Sequence, residues 1–212
     1  MSLVEDKKLI SQHTWNKMAT LYEEKFLPLR MYDHTYDALL SSLPAGAKIL
    51  DWGCGPGIIS TYVRSKRSDI RIIGIDNAPN MIARAQANIP DGIFTCTDLK
   101  DADFTNIKFD AIFGGFVLPY LSSNELDVYW QKINVITSPN AVLYLSFVAG
   151  EEEQSCWKSN HEGDRVFFNY HDPEQLVHSL SAFGWQCEQS FEVPYDKEFH
   201  TVMIFRKANK QP

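Results

Sequence analysis

Lys48-Ile-Leu-Asp51-Trp-Gly53-Cys54-Gly55-Pro-Gly57 decides how this chain is read. A short apolar run ends in an acid, three glycines follow at alternate positions, and Ile58, Ile59, Tyr62 and Val63 then fall at helical spacing. That order predicts a strand, a tight turn and a helix. The surrounding sequence repeats the unit in kind. Arg71-Ile-Ile-Gly-Ile-Asp76 is a second strand ending in an acid, and Pro79 marks a helix start before Met81, Ile82 and Ala85. A third strand, 93–97, ends at Asp98, and a fourth, 109–113, ends at Gly114-Gly115. Ser123 is expected to cap a helix that carries Leu126, Tyr129, Trp130 and Ile133 and stops near Pro139-Asn140. The nearly unbroken apolar run 141–148 fits a central strand covered on both faces. Asp172-Pro173 opens a helix closed by Gly184, and strands 185–193 and 199–205 finish the chain around a turn at Pro194-Tyr-Asp-Lys197.

Upstream, Trp15, Met18, Ala19 and Tyr22 fall on one helical face, as do Tyr36, Leu39, Leu40 and Leu43, with a breaker at Pro28 between them. Residues 150–170 give no assignable element. Alternating strands and helices imply an α/β fold with a mostly parallel sheet and helices on both faces. The closing strand pair is the exception, because a short turn can join only antiparallel neighbours. The reading is one domain, 1–212, with an N-terminal helical cap over 1–45 and a core over 46–212.

Composition bounds the partners. The chain has 212 residues, 44% apolar and 13% aromatic, with 20 Lys+Arg against 27 Asp+Glu, a net charge of −7. This is the make-up of a chain with a real core, and its sign makes nucleic acid an unfavoured partner. The N-terminus, Met1-Ser-Leu-Val-Glu-Asp-Lys-Lys, has no signal-peptide apolar stretch, and no window is long enough to span a membrane, so a cytoplasmic location is expected. Cys54, Cys96, Cys156 and Cys187 are widely spaced, which predicts free, mostly buried thiols and no metal site.

In an open α/β sheet, ligands bind beyond the carboxyl ends of the strands, where strand order reverses. Asp51, the glycine turn, Asp76, Asp98 and Gly114 therefore converge on one pocket. The turn reads Gly-x-Gly-x-Gly, which departs from the Gly-x-Gly-x-x-Gly dinucleotide fingerprint. A pocket rimmed by carboxylates suits a positively charged cofactor better than one with two phosphates.

On these motifs, through Ile73-Gly-Ile-Asp76, Thr97-Asp98 and Phe109-Asp-Ala-Ile-Phe-Gly-Gly-Phe-Val-Leu118, the sequence resembles the class I S-adenosylmethionine-dependent methyltransferases over about residues 15–207. The resemblance implies a Rossmann-like seven-stranded sheet with an antiparallel last strand. It also implies S-adenosyl-L-methionine as cofactor and S-adenosyl-L-homocysteine as product. The backbone of Gly53, Cys54, Gly55 and Gly57 would pass the methionine moiety, with Asp51 near its amino group. Asp76 would hold the ribose hydroxyls, Asn77 and Met81 would border the adenine, and Asp98 would accept from its amine with Leu99 beside the ring. The Gly114-Gly115-Phe116 segment would line the sulfonium end, with Tyr22 as a cap tyrosine. Relatives often carry a His pair where this chain has Pro119-Tyr120, which removes a histidine role there.

The expected function is proximity-driven, metal-independent methyl transfer to a small molecule. An RNA or protein methyltransferase, or a binding module without turnover, are the alternatives. No Pro-Cys dipeptide offers a thiolate for pyrimidine C5 transfer, no Asn/Asp-Pro-Pro-aromatic follows the fourth strand, and no acid there completes a magnesium site. Tyr22, Tyr120 and His171 are the candidate catalytic side chains, while Arg30, Arg165 and His171 are expected to anchor an anionic acceptor. His13, His34 and His200 carry no signal. The basic run Arg64-Ser-Lys66-Arg67 reads as a solvated helix end, and the assembly as a monomer or homodimer.

Overall fold

Ile49 and Leu50, neighbours in the first strand, enter different cores. The computed structural model describes residues 6–208, so the Met1–Glu5 part of the signal-peptide reading lies outside the described residues. In β1 (Lys48–Trp52), Leu50 and Trp52 join a cluster with Ile112, Leu143, Leu145 and Trp130, while Ile49 joins Ile72, Ala111, Phe113 and Tyr144 on the other face. Side chains alternate along a strand, so an all-apolar strand needs cover on both sides. Helices α3 (Ile58–Lys66) and α2 (Asp33–Leu40) supply it on one face, and α5 (Ser123–Ile136) and α6 (Pro173–Ser181) on the other.

The remaining strands of the main sheet are β2 (Arg71–Asp76), β3 (Ile93–Cys96), β4 (Phe109–Gly115), β5 (Thr137–Phe147), β8 (Trp185–Tyr195) and β9 (Glu198–Lys207). They lie in the order β3-β2-β1-β4-β5-β9-β8. Pairs up to β5 are parallel, and β9 runs antiparallel to both β5 and β8, as the closing turn requires. Strand order reverses between β1 and β4, which opens a crevice at their carboxyl ends.

Several boundaries differ from the sequence reading. The α5 cap is Ser122, one residue early, because Glu125 three positions on accepts from the Ser122 N–H at 2.9 Å. Thr137 follows α5 directly and pairs with Phe109, after which four residues bulge before Val142 meets Ala111. The helix stop expected near Pro139-Asn140 comes earlier, at Ile136, and those two residues lie in that bulge, with Asn140 at φ 62°. Residues 150–170 hold a hairpin of β6 (Cys156–Ser159) and β7 (Arg165–Phe168). Two four-residue strands are too short to show a period.

That hairpin and α1 (Lys7–Phe26) form a roof. The Thr14 hydroxyl donates to the Arg165 carbonyl at 2.7 Å, the Phe167 N–H to Ser11 Oγ at 3.0 Å, and Lys17 pairs with Asp164 at 2.7 Å. The buried residues of α1 are Ser11, Thr14 and Ala19, and its Trp15 and Tyr22 pack against Ala78 and Met81, so it docks by polar and apolar contacts together. On its other side α1 meets α4 (Pro79–Asn88), with two Asn16–Asn80 hydrogen bonds at 2.8 and 2.9 Å and an Arg84–Glu23 ion pair. By contrast, α2 buries Tyr36, Leu39 and Leu40 in the sheet core, so the helical cap at 1–45 divides into a roof helix and a core helix. Among the described residues no helix is long and apolar enough to cross a membrane. All four thiols are free, but only Cys54 is buried, while Cys96 and Cys156 are exposed.

Candidate functional site

The glycine turn closes over the end of β2. Gly53, Gly55 and Gly57 have φ of 65°, 52° and 80°, a left-handed region that side chains resist. Asp76 ties this turn to the start of α4: Oδ2 accepts from the Gly55 N–H and Oδ1 from the Ala78 N–H, each at 2.9 Å. A carboxylate has about four acceptor positions, so room is left for a hydroxyl donor beside the Gly55, Ala78 and Asn77 N–H groups. Burial raises the Asp76 pKa, against the pull of these N–H groups.

Asp51 is 1% exposed and ties β1 to the first turn of α3, its Oδ2 accepting from Ser60 Oγ at 2.6 Å and Ser60 N–H at 3.2 Å. Burial pushes its pKa up to about 6 despite those bonds, and the charge of Asp76 adds to the rise. One buried and one partly buried carboxylate on adjacent strand ends make this wall of the crevice negative.

Asp98 stands apart. Lys8 of α1 pairs with its Oδ2 at 2.6 Å, the Tyr129 hydroxyl donates at 2.9 and 3.1 Å, and the Lys100 N–H donates at 3.2 Å. Burial alone would raise the Asp98 pKa, but the Lys8 ammonium and the other donors outweigh it and hold the carboxyl below its usual range.

These groups line one cavity of about 580 Å³, within the roughly 300–1,000 Å³ of small-molecule sites. Asp51, Gly53, Cys54, Gly55, Asp76, Asn77, Met81, Asp98, Leu99 and Phe116 border it, with Tyr22, Tyr120 and Arg30. Gly57 and Gly114 do not. A Cβ on Gly57 would lie 2.7 Å from Ile89, and one on Gly114 2.9 Å from Leu145, so packing explains both. Gly115 borders the cavity instead.

The expected anion anchor does not assemble. His171 is buried with Nε2 on the Leu118 carbonyl at 2.9 Å, and burial lowers its pKa, so it serves to fasten the segment after β4. The Arg165 guanidinium lies 4.5 Å over the Trp157 ring, outside the cavity lining. Arg30 borders the cavity with its guanidinium on the Leu27 and Leu29 carbonyls.

Conversely, His200, Tyr32, Tyr195 and Lys158 line the cavity, although no motif in the sequence marks His200. An antiparallel strand starts where its parallel neighbours end. Thr201 pairs with Phe147 at the end of β5, so the first residues of β9 had to arrive at this crevice.

A family model described as "Methyltransferase domain" matches residues 49–140. The chain is 31% identical over 74% of its length to a methyltransferase designated 235L from Invertebrate iridescent virus 6, and spans 60% of that protein. It is 26% identical to a carboxy-S-adenosyl-L-methionine synthase of Helicobacter pylori strain G27, over 78% of this chain and 69% of the relative. Among solved structures, 1,6-didemethyltoxoflavin-N1-methyltransferase of Burkholderia thailandensis, bound to that compound and S-adenosylhomocysteine, superposes with TM-score 0.75 at 17% identity, over 99% of this chain and 92% of that one.

Proposed function

Because the chain belongs to the class I S-adenosylmethionine-dependent methyltransferases, we propose that it transfers a methyl group from S-adenosylmethionine to a small-molecule acceptor beneath α1. One observation carries this reading. Asp51, buried, and Asp76, partly buried, are both raised in pKa and adjacent at the crevice, so they favour a ligand with positive charge and hydroxyl donors, and oppose a pyrophosphate. When bound, S-adenosylmethionine supplies an electrophilic methyl group on sulfur. The protein's part is alignment of acceptor and methyl and exclusion of water.

In this reading Asp51 faces the amino group, Asp76 takes the ribose hydroxyls with its remaining acceptor capacity, and the backbone of Gly53 and Gly55 borders the methionine chain. Met81, Asn77 and Leu99 flank the adenine, and Gly115 and Phe116 meet the sulfonium. A Cβ on Gly55 would face Met81 Sδ at 3.9 Å and Tyr22 at 4.0 Å, so a side chain there would enter the same space. The roofed chamber favours a small acceptor, and the Burkholderia relative acts on a small heterocycle. The basic run on α3 adds nothing for a polyanion, since Arg64 pairs with Asp91 at 3.0 Å and Arg67 with Asp69 at 2.8 Å.

Calorimetry with S-adenosylmethionine, S-adenosylhomocysteine and NADH tests the cofactor, and transfer of labelled methyl to metabolites, RNA and protein tests the acceptor. Binding of the first two and label in the metabolite fraction are expected. Preferential NADH binding, or label in RNA or protein alone, overturns the proposal.

Lys8 gives a separate prediction. The acceptor positions of Asp98 are occupied by Lys8, Tyr129 and Lys100, so an adenine amine reaches it by displacing the Lys8 ammonium. Lys8→Met is expected to tighten S-adenosylmethionine binding severalfold by calorimetry. A weakened affinity would place Lys8 among the groups that hold the nucleoside.

A further inference from the structure

The cavity contains a histidine that the cofactor assignments leave unused. His200, 7% exposed, sits among three rings: Tyr195 stacks at 4.6 Å between centroids, Phe116 meets it edge-on at 4.7 Å, and Tyr32 lies parallel at 6.1 Å. Its Nδ1 shares a hydrogen bond with the Tyr32 hydroxyl. If Nδ1–H donates to that oxygen, Nε2 keeps its lone pair for a ligand.

Phe116 places this imidazole beside the methyl-transfer position. It is a non-glycine residue at φ 55°, and its N–H donates to both the carbonyl and the hydroxyl of Ser146, at 2.9 and 3.1 Å. Strained backbone persists where surrounding bonds over-determine it, and here the strain turns the ring between strand end and histidine.

We propose that His200, oriented by Tyr32, is the general base of the acceptor chamber, and that the chamber takes a planar aromatic acceptor with an ionisable O–H or ring N–H. This rests on the methyl-transfer reading above. The acceptor's proton passes to Nε2 while its oxygen or nitrogen lone pair forms the bond to the methyl carbon. The carbon–sulfur bond breaks with its electrons on sulfur, and the imidazolium returns the proton to solvent.

Acidity selects the acceptor class. A phenol ionises near pH 10 and water near 15.7, so an imidazole at or below about 6.5 is a workable base for the first and a poor one for an aliphatic alcohol. A carboxylate needs no base. Burial lowers the His200 pKa, Glu198 opposes this and Lys158 adds to it, which keeps the ring neutral at pH 7. Tyr32 and Tyr195 also face it, and burial raises the Tyr32 pKa, so that residue remains a phenol. The walls suit a flat ring: Trp15, Tyr22, Phe26, Tyr120 and Phe168 line the space, with the Lys158 ammonium 3.8 Å over Phe168.

The test uses the full chain saturated with S-adenosylhomocysteine and the probe 7-hydroxycoumarin, whose fluorescence separates phenol from phenolate. Wild type and His200→Gln are expected to bind S-adenosylhomocysteine and the probe alike, because an imidazole of lowered pKa takes the proton only as the methyl bond forms. With S-adenosylmethionine, transfer to the probe should fall about 100-fold in kcat with KM little changed, the lower end of general-base contributions. The wild-type rate should rise with pH through a titration below 6.5 and then level. Tyr32→Phe should lower kcat about tenfold and move that titration. Nitrogen NMR of labelled histidine should find Nδ1 protonated and Nε2 bare above pH 7.

A His200→Gln kcat within threefold of wild type, or a protonated Nε2, overturns the base assignment. Failure of both 7-hydroxycoumarin and 4-hydroxyquinoline to bind the wild-type complex overturns the acceptor class. Failure of wild type to bind S-adenosylhomocysteine overturns the methyl-transfer reading instead.

Discussion

Asp76→Ala is expected to lower S-adenosylmethionine affinity at least 100-fold and to destabilise the ligand-free protein by about 2 kcal/mol. Two losses combine. The Gly55 and Ala78 N–H groups, each 2.9 Å from the carboxylate, lose their acceptor, and an unmatched half-buried donor costs about 1–3 kcal/mol. The spare acceptor positions proposed for the ribose go too, at roughly 1.5–3 kcal/mol for each charge-assisted bond. A partial offset comes from Asp51, whose pKa the charge of Asp76 helps to raise. That relief is smaller than either loss, because burial is the larger cause of the Asp51 shift. Asp76→Asn keeps one acceptor oxygen and should fall between the two. Calorimetry and thermal melts with and without S-adenosylhomocysteine separate the effects. An affinity within threefold of wild type would show that the ribose is held elsewhere.

The half of the site built by parallel strands was legible because its chemistry lies at strand ends. Asp51, Asp76 and Asp98 each close a short apolar run, and topology carries such positions to one crevice whatever the loops do. The acceptor half was not legible. Tyr32 lies between two helices, Lys158 on a four-residue strand and His200 at the start of β9. Only the three-dimensional sheet order brings them together, since His200 and Tyr32 are 168 residues apart in sequence. His171 shows the opposite error. A histidine beside a helix start among aromatics looked like a ligand group, and the backbone carbonyl of Leu118 claims it. Asp98 lies at the crevice as its strand end predicts, but its pairing with Lys8 was invisible because only the docking of α1 brings that ammonium to it.

Asp51→Asn is expected to stabilise the protein near neutral pH while weakening the cofactor. The Asp51 carboxyl has a pKa of about 6 in the folded protein against an ordinary 3.8, chiefly through burial. A gap of about two units at ~1.4 kcal/mol each is roughly 3 kcal/mol. The folded state binds this proton more tightly than the unfolded state. The group's penalty is therefore absent below about pH 4, grows between 4 and 6, and is complete above 6. Asparagine cannot ionise and keeps an oxygen for the two Ser60 donors, but its NH2 needs a partner, so a gain of about 1–3 kcal/mol is expected at pH 7.5. At pH 4.5 most of the difference should vanish in denaturant titrations. Affinity should move the other way, because the buried charge is what a cationic amino group would neutralise. The same coupling means that cofactor binding to wild type near pH 6 releases a proton, visible as a buffer-dependent heat that Asp51→Asn lacks. A variant that neither gains stability at pH 7.5 nor loses affinity would show that Asp51 serves only to fasten α3 through Ser60.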